Sequence, residues 1–354
     1  MQEIIDLTKD LIRFKSMDPQ AGEINKCADY IETYLQKHSI TYKRFEHNSI
    51  PSILITRSNG YAPVLLMSHI DVVAGPDNLF EPYEKDGNLY GRGSKDDKYA
   101  VALSLVLLKK FLAHIKSQED LPFGVLITGD EEIGGANGAR KALAELNTNF
   151  CIALDGGSID KIVIKEKGIL RLKLIARGKA AHGARPWLGE NAIEKLIADY
   201  QVLKTHFQES AADHWHRTIN FGRIQAGNAI NQVPDYAEAA FDIRFTEHDH
   251  MEEVIETIQH AIQGELVVER KEPLFISGKS PYLDLLLNIA QDTATGFEHG
   301  ASDARFLSDH GIKGIVWGAD GDMSQHSETE HVNIDSVYKL YRILAEFIRK
   351  TVIS

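Results

Sequence analysis

Cysteine is nearly absent from this sequence: Cys27 and Cys151 are the only two in 354 residues. Two thiols cannot build a disulfide framework, so a reducing cytoplasm is the expected compartment. A basic excess is absent as well. Asp and Glu number 51 against 39 Lys and Arg, a net charge of -12. Nucleic acids and anionic membrane surfaces select basic patches, so neither is an expected partner. No stretch approaches the roughly 18 consecutive apolar residues of a membrane span. No internal repeat, low-complexity tract or long linker interrupts the chain. The opening MQEIIDLTKDLIRF reads as an amphipathic helix of mixed charge and not as a leader.

What is present is a globular composition, 43% hydrophobic and 25% charged, at a length that implies about two domains. The most concentrated feature is Leu126–Gly135, LITGDEEIGG. An apolar, β-branched run ends there in Asp130, Glu131 and Glu132. Adjacent carboxylates at the end of a core strand repel one another and lose solvation, which costs several kcal/mol unless a cation or proton compensates. A solvated acidic turn is the plainer alternative, and the rest of the chain must decide between them.

Three other segment ends carry similar groups. Pro63–Met67 is a continuous apolar run, the pattern of a strand buried on both faces, and it leads into His69 and Asp71. A ligand site at the carboxyl end of such a strand is the habit of open α/β sheets, and Asp71 lies on the same side of an extended chain as His69. Gly91-Arg92-Gly93 is followed by Asp96 and Asp97, then by a helical pattern over 99–112, so the two acids stand at a helix start, where capping would also explain them. Phe150–Leu154 reads as a further buried strand ending in Asp155. Potential ligands thus close four separate segments.

These four segments, SHIDVV, LYGRGSKDDK, TGDEEIGG and ALDGG, resemble in this order the dinuclear zinc peptidase family. That family includes carboxypeptidase G, aminoacylase, acetylornithine deacetylase, succinyl-diaminopimelate desuccinylase and bacterial dipeptidases. The resemblance implies a mixed-sheet α/β catalytic domain of the phosphorylase/hydrolase-like kind, over residues 1–166 and 276–354. It implies two divalent metal ions, Zn2+ foremost with Co2+ or Mn2+ as alternatives. His69 and Asp155 would bind one, Glu132 and His326 the other, and Asp96 would bridge them through a residue joined to Asp97 by a cis peptide bond. Glu131 would be the general base and Asp71 would orient His69. The implied reaction is hydrolysis of a peptide or N-acyl amide bond near a free carboxylate, in a small peptide or N-acyl amino acid. A carbamoyl or ureido compound is an alternative substrate class, and a metal-binding protein without activity is a third reading. Tyr99 stands where relatives usually carry Gly; a ring there is expected to narrow or wall the cleft.

Residues 167–275 change character. Alternating segments and helical patterns follow the order β-α-β-β-α-β, a ferredoxin-like unit inserted in the larger domain. It resembles the family's lid or dimerisation domain, and an exposed edge strand there would suit a homodimer. His182, within AAHGARP, would by resemblance donate a hydrogen bond to the oxyanion, and Asn231, within NQVP, would point at substrate. Arg244 is either a substrate contact or the partner of an acid such as Asp242. Beyond the insert, Gly300–Phe306 resembles the family's Gly-x-Ser-Asp-Ala-Arg, in which Arg305 would hold a substrate carboxylate; an internal pair with Asp303 or Asp309 is the alternative.

Overall fold

The chain begins with helices α1 (Gln2–Ile12) and α2 (Ala21–Lys37), then strands β1 (Lys43–His47), β2 (Ile50–Ile55) and β3 (Tyr61–His69). A hairpin, β4 (Tyr83–Lys85) and β5 (Asn88–Tyr90), precedes helix α3 (Lys98–Leu112). Then come β6 (Phe123–Thr128), the short α4 (Ala139–Ala142), β7 (Asn147–Ala153) and β8 (Lys161–Glu166). The middle of the chain holds β9 (Gly168–Arg177), β10 (Ala181–His182), α5 (Ala192–Thr205), β11 (Thr218–Ala226), β12 (Gln232–Val233), β13 (Tyr236–Phe245), α6 (Met251–Ala261) and β14 (Glu265–Glu272). The last part gives β15 (Phe275–Ile276), α7 (Pro281–Ile289), β16 (Ala294–Glu298), β17 (Lys313–Val316), β18 (His331–Asn333) and α8 (Ile334–Thr351). These assignments come from a computed structural model that describes residues 1–17 and 21–351. Two compact units result: Met1–Lys165 with Phe275–Glu298 and the chain from Ser302 onward, and Glu166–Leu274 with His299–Ala301.

The first unit is a mixed α/β fold around one large sheet of order β1-β2-β6-β3-β7-β17-β8-β15, with β16 joined to β8. Its four central strands, β6, β3, β7 and β17, run parallel. The unbroken apolar character of β3 has a direct cause. Val64 and Leu66 enter a cluster with α1, α2, α3 and α8, whereas Leu65 and Met67 enter a second cluster with α4 and Phe306 on the opposite face. A strand covered on both faces favours apolar side chains along its middle, and its polar residues, Ser68 and His69, come only at its carboxyl end. Helix α3 is buried from Lys98 through Leu108.

The parallel strands occur along the chain as β3, β6, β7 and β17, but lie in the order β6-β3-β7-β17. The connections therefore reverse direction between β3 and β7. Beyond the carboxyl ends of strands at such a reversal, open α/β sheets have a crevice that no connection crosses. His69 ends β3, and Asp155 lies two residues past β7.

The second unit has an antiparallel sheet of order β11-β13-β9-β14, with α5 and α6 supplying Ala192, Leu196, Leu203, Met251 and Ile258 to its core. Strand β13 alternates between buried and less buried residues along its length, as one covered face requires. Strand β11 is the outer strand on one side and is exposed over most of its residues.

Candidate metal centre

Each donor is placed by the end of a regular element. His69 ends β3; Glu131 and Glu132 form a single 3-10 turn just after β6; Asp155 follows β7. Asp96 lies immediately before Asp97, the N-cap of α3, and the Asp96–Asp97 peptide is cis. His326 lies in the loop between β17 and β18. Among the described residues, two groups have ligand atoms within 4.8 Å of one another: His69, Glu131 and Asp155, and Asp96, Glu132 and His326.

Asp96 joins the two groups. One carboxylate oxygen lies 2.9 Å from His69 Nε2 and the other 3.2 Å from His326 Nε2. His326 Nε2 is also 3.2 Å from Glu132 Oε2. The supporting contacts are as specific. His69 Nδ1 faces the Asp71 carbonyl at 3.0 Å, closer than the Asp71 carboxylate at 3.4 Å. That carboxylate accepts the backbone N–H groups of Glu131 and Glu132 at 3.1 and 2.9 Å. Asp71 therefore fixes the acidic turn and His69 together. Asp130, the first acid of the triplet, accepts from the N–H groups of Asn137 and Gly138 and closes the following loop.

Burial decides the electrostatics. It pushes the carboxyls of Glu131 and Asp155 well above the usual range, reinforced by Asp303 for Glu131 and by Glu131 for Asp155. Burial alone would raise Asp96 too, but the hydrogen bonds from His326 and His69 hold it well below the usual range. Hydrogen bonding to Asp96 and Glu132 lifts His326 to about 10. Glu132 Oε1 and both carboxylate oxygens of Asp97 are buried with no hydrogen-bond partner. Oxygen and imidazole ligand atoms converge here, and Glu132 Oε1 among them has no hydrogen-bond partner. This donor set fits two divalent cations sharing Asp96, with oxygen and nitrogen ligands of the type zinc, cobalt and manganese accept.

Glu330 is the residue whose part sequence reasoning missed. It is 1% exposed. Its Oε1 accepts the backbone N–H groups of Gly93, Lys95 and Asp96, and its Oε2 pairs with Arg92. Arg92 in turn donates to the carbonyl of His326 at 3.4 Å. One buried ion pair thus ties the Asp96 loop to the His326 loop. The sequence places Glu330 in a closing segment that, with Gly321 and His326, resembles the family's Gly…His…Glu pattern, but it does not say what the glutamate holds. His331 lies outside both donor groups, 3.5 Å from Asp322.

Tyr99 differs from the expectation. It has no exposure and faces no cleft, because α3 is buried on every side at its first turns. Arg305 is 2% exposed: it donates to the Ser302 carbonyl at 2.6 Å, lies 3.5 Å from Asp303 and 3.9 Å from Glu131, and stacks on Phe306. Gly135 makes room for this arrangement, since a Cβ there would stand 2.0 Å from Asp303 Oδ1.

Within the second unit, β10 pairs with β12, which sets His182 opposite Gln232, and Gly183 N donates to the Asn231 carbonyl at 2.7 Å. His182 and Asn231 are therefore neighbours on one small ribbon. Ala184 N donates to His182 Nδ1 at 3.0 Å, so a neutral ring carries its proton on Nε2. Arg244 pairs with Asp242 through Nε at 2.6 Å.

Residues 65–350 match peptidase family M20/M25/M40. A succinyl-diaminopimelate desuccinylase of Xylella fastidiosa is 28% identical over 380 aligned positions, covering 98% of each chain. Two solved structures share the fold: an M20 family metallo-carboxypeptidase from Sulfolobus solfataricus (TM-score 0.81, 19% identity, all of both chains) and a tripeptidase from Staphylococcus aureus (TM-score 0.80, 21% identity, 100% and 99% of the two chains).

Proposed function

The chain belongs to peptidase family M20/M25/M40 and is a metal-dependent hydrolase of peptide or acyl-amide bonds, and from that premise we propose the residues and the substrate. The substrate is a small peptide or N-acyl amino acid with a free carboxylate near the scissile bond. His69 and Asp155 hold one ion, Glu132 and His326 the other, and Asp96 both; the observation that carries this is the placement of Asp96 between two imidazoles. When bound, such ions polarise a carbonyl and bring the pKa of water toward neutrality. Glu131 takes the proton of the attacking water and delivers it to the leaving nitrogen. Asp71 keeps His69 and the Glu131–Glu132 turn in place. Zn2+ is the ion proposed, on the mixed imidazole and carboxylate donors.

His182 is proposed as the oxyanion donor, supported by the proton its Nε2 carries. Asn231 is proposed as a substrate contact beside it, and Arg244 as a third, by resemblance alone. Arg305 is proposed to meet the substrate carboxylate; the support is a guanidinium close to Glu131, although a carboxylate reaching it must displace Asp303. A homodimer through the second unit is supported by the open edge at β11, where Phe221 and Ile224 are exposed. The cytoplasm is proposed as the compartment on two free, buried thiols.

The test is a turnover screen of the purified chain with added Zn2+ or Co2+ over dipeptides, N-acetyl and N-succinyl amino acids and N-carbamoyl compounds. Hydrolysis confined to N-carbamoyl compounds would refute the substrate class. Light scattering that returned 39.6 kDa at micromolar concentration would refute the dimer.

A further inference from the structure

Beyond their last shared hydrogen bond, from Trp317 N to the Ala153 carbonyl at 2.8 Å, the chains leaving β7 and β17 need new partners. The hydroxyl of Tyr99 stands between them. It donates to the Leu154 carbonyl at 2.8 Å and accepts from Ala319 N at 2.9 Å. Leu154 and Ala319 have no exposure, so no solvent replaces that hydroxyl. Gly318 leaves the space: a Cβ there would lie 2.5 Å from the phenol oxygen. Leu154 N donates to the Met67 carbonyl at 2.9 Å, which holds the same residue from β3.

The carbonyl of Leu154 and the Cα of Asp155 belong to one rigid peptide plane. A hydrogen bond that fixes the carbonyl fixes the direction in which Asp155 departs. Tyr99 is itself rooted three residues after Asp96, in the first turn of α3. We propose that Tyr99 is a positioning residue for the group of His69, Glu131 and Asp155: its hydroxyl sets the Leu154–Asp155 plane and thereby the place of the Asp155 carboxylate. This rests on the reading of Asp155 as a metal donor.

The test titrates Co2+ into the metal-free full-length chain, followed by calorimetry and visible absorption. Tyr99→Phe deletes the hydroxyl and keeps the ring. The expected result is a loss of about 10–100-fold in affinity for one of the two ions, with the other changed by less than about twofold. Gly318→Ala would set a Cβ 2.7 Å from the Gly156 carbonyl and 3.0 Å from the Leu154 carbonyl as well as beside the hydroxyl. It therefore perturbs the Asp155 plane directly and serves only as a control in which the same ion must weaken. If Tyr99→Phe does not fold in buffer alone, its titration is made with trimethylamine N-oxide as stabiliser, and that titration decides the matter. Asp155→Asn is the reference and must weaken the same ion. If Asp155→Asn leaves both affinities unchanged, the donor reading fails and this inference with it. If Asp155→Asn weakens one ion while Tyr99→Phe binds both as the parent does, the inference about Tyr99 alone is overturned. A lower melting temperature with unchanged affinities, or an equal loss of both ions, also overturns it.

Discussion

The two donor groups are held in different ways. His69, Glu131 and Asp155 follow directly from three adjacent parallel strands, and the His69 side chain is 1% exposed. Asp96, Glu132 and His326 depend more on loops, and the His326 side chain is 51% exposed. The inner group inherits its geometry from the sheet. The outer group is assembled by Asp71, which clamps the Glu131–Glu132 turn, and by the Arg92–Glu330 pair, which ties the other two loops together. A strand end needs only local hydrogen bonds to hold its donors, as Asp71 supplies to His69 and Glu131; donors on separate loops also need contacts that reach from one loop to another.

That contrast can be broken at its shared point first. Glu131→Ala should lower turnover by about 10²–10⁴-fold while both ions stay bound, measured by initial rates beside elemental analysis. Retained activity would remove Glu131 from the role of base. Asp71→Asn touches both groups, since its carboxylate serves Glu131 and Glu132 alike. It should weaken both ions by about 10–100-fold in calorimetry; weakening of only one would show that the groups are supported separately. Glu330→Gln should weaken the ion of the outer group by about tenfold and the other by less, because Glu330 reaches the inner group only through the shared Asp96 but reaches the outer one through Asp96 and, by way of Arg92, through the His326 loop. Equal loss at both sites would erase the distinction. The smallest expected effect is one of order. Dialysis against a chelator should take the metal content from two ions to one and then to none, with the ion retained by His326→Ala the last to leave. Simultaneous loss would argue that the ions bind as one cooperative unit.

The strand-borne donors were legible in the sequence because continuous apolar runs announce strands buried on both faces, and each run stopped at a residue of the right chemistry. The glycine turn before a helix placed Asp96 at a helix start, where capping was an equal explanation; its role as a donor, like that of His326, came from resemblance. The loop supports were not legible. Glu330 meets Gly93 and Asp96 across more than 230 positions, and nothing near it in the sequence marks that contact. Tyr99 was misplaced in the cleft because a helix with apolar residues on all faces gives no sign of which side meets the sheet. Arg244 and Asp242 are two apart on one strand, and their pairing was open to reading from that spacing. For Arg305 the motif does not encode burial, so it gave no sign that a substrate carboxylate would have to displace Asp303. The middle unit was legible as a β-α-β-β-α-β pattern, but the ribbon that joins His182 to Asn231 consists of two-residue strands too short to leave a periodic signal.

Strand β17 lies between β7 and β8, although β8 follows β7 directly and β17 comes about 150 residues later in the chain. During synthesis, β7 and β8 therefore leave the ribosome with the slot between them empty, and the second unit emerges before its filler does. The first unit cannot finish folding in the order in which it is made. A chain stalled ahead of residue 313 would expose the flank of β7 that Lys313–Val316 normally covers, a bare strand edge of the kind that pairs with a neighbour and that folding helpers bind.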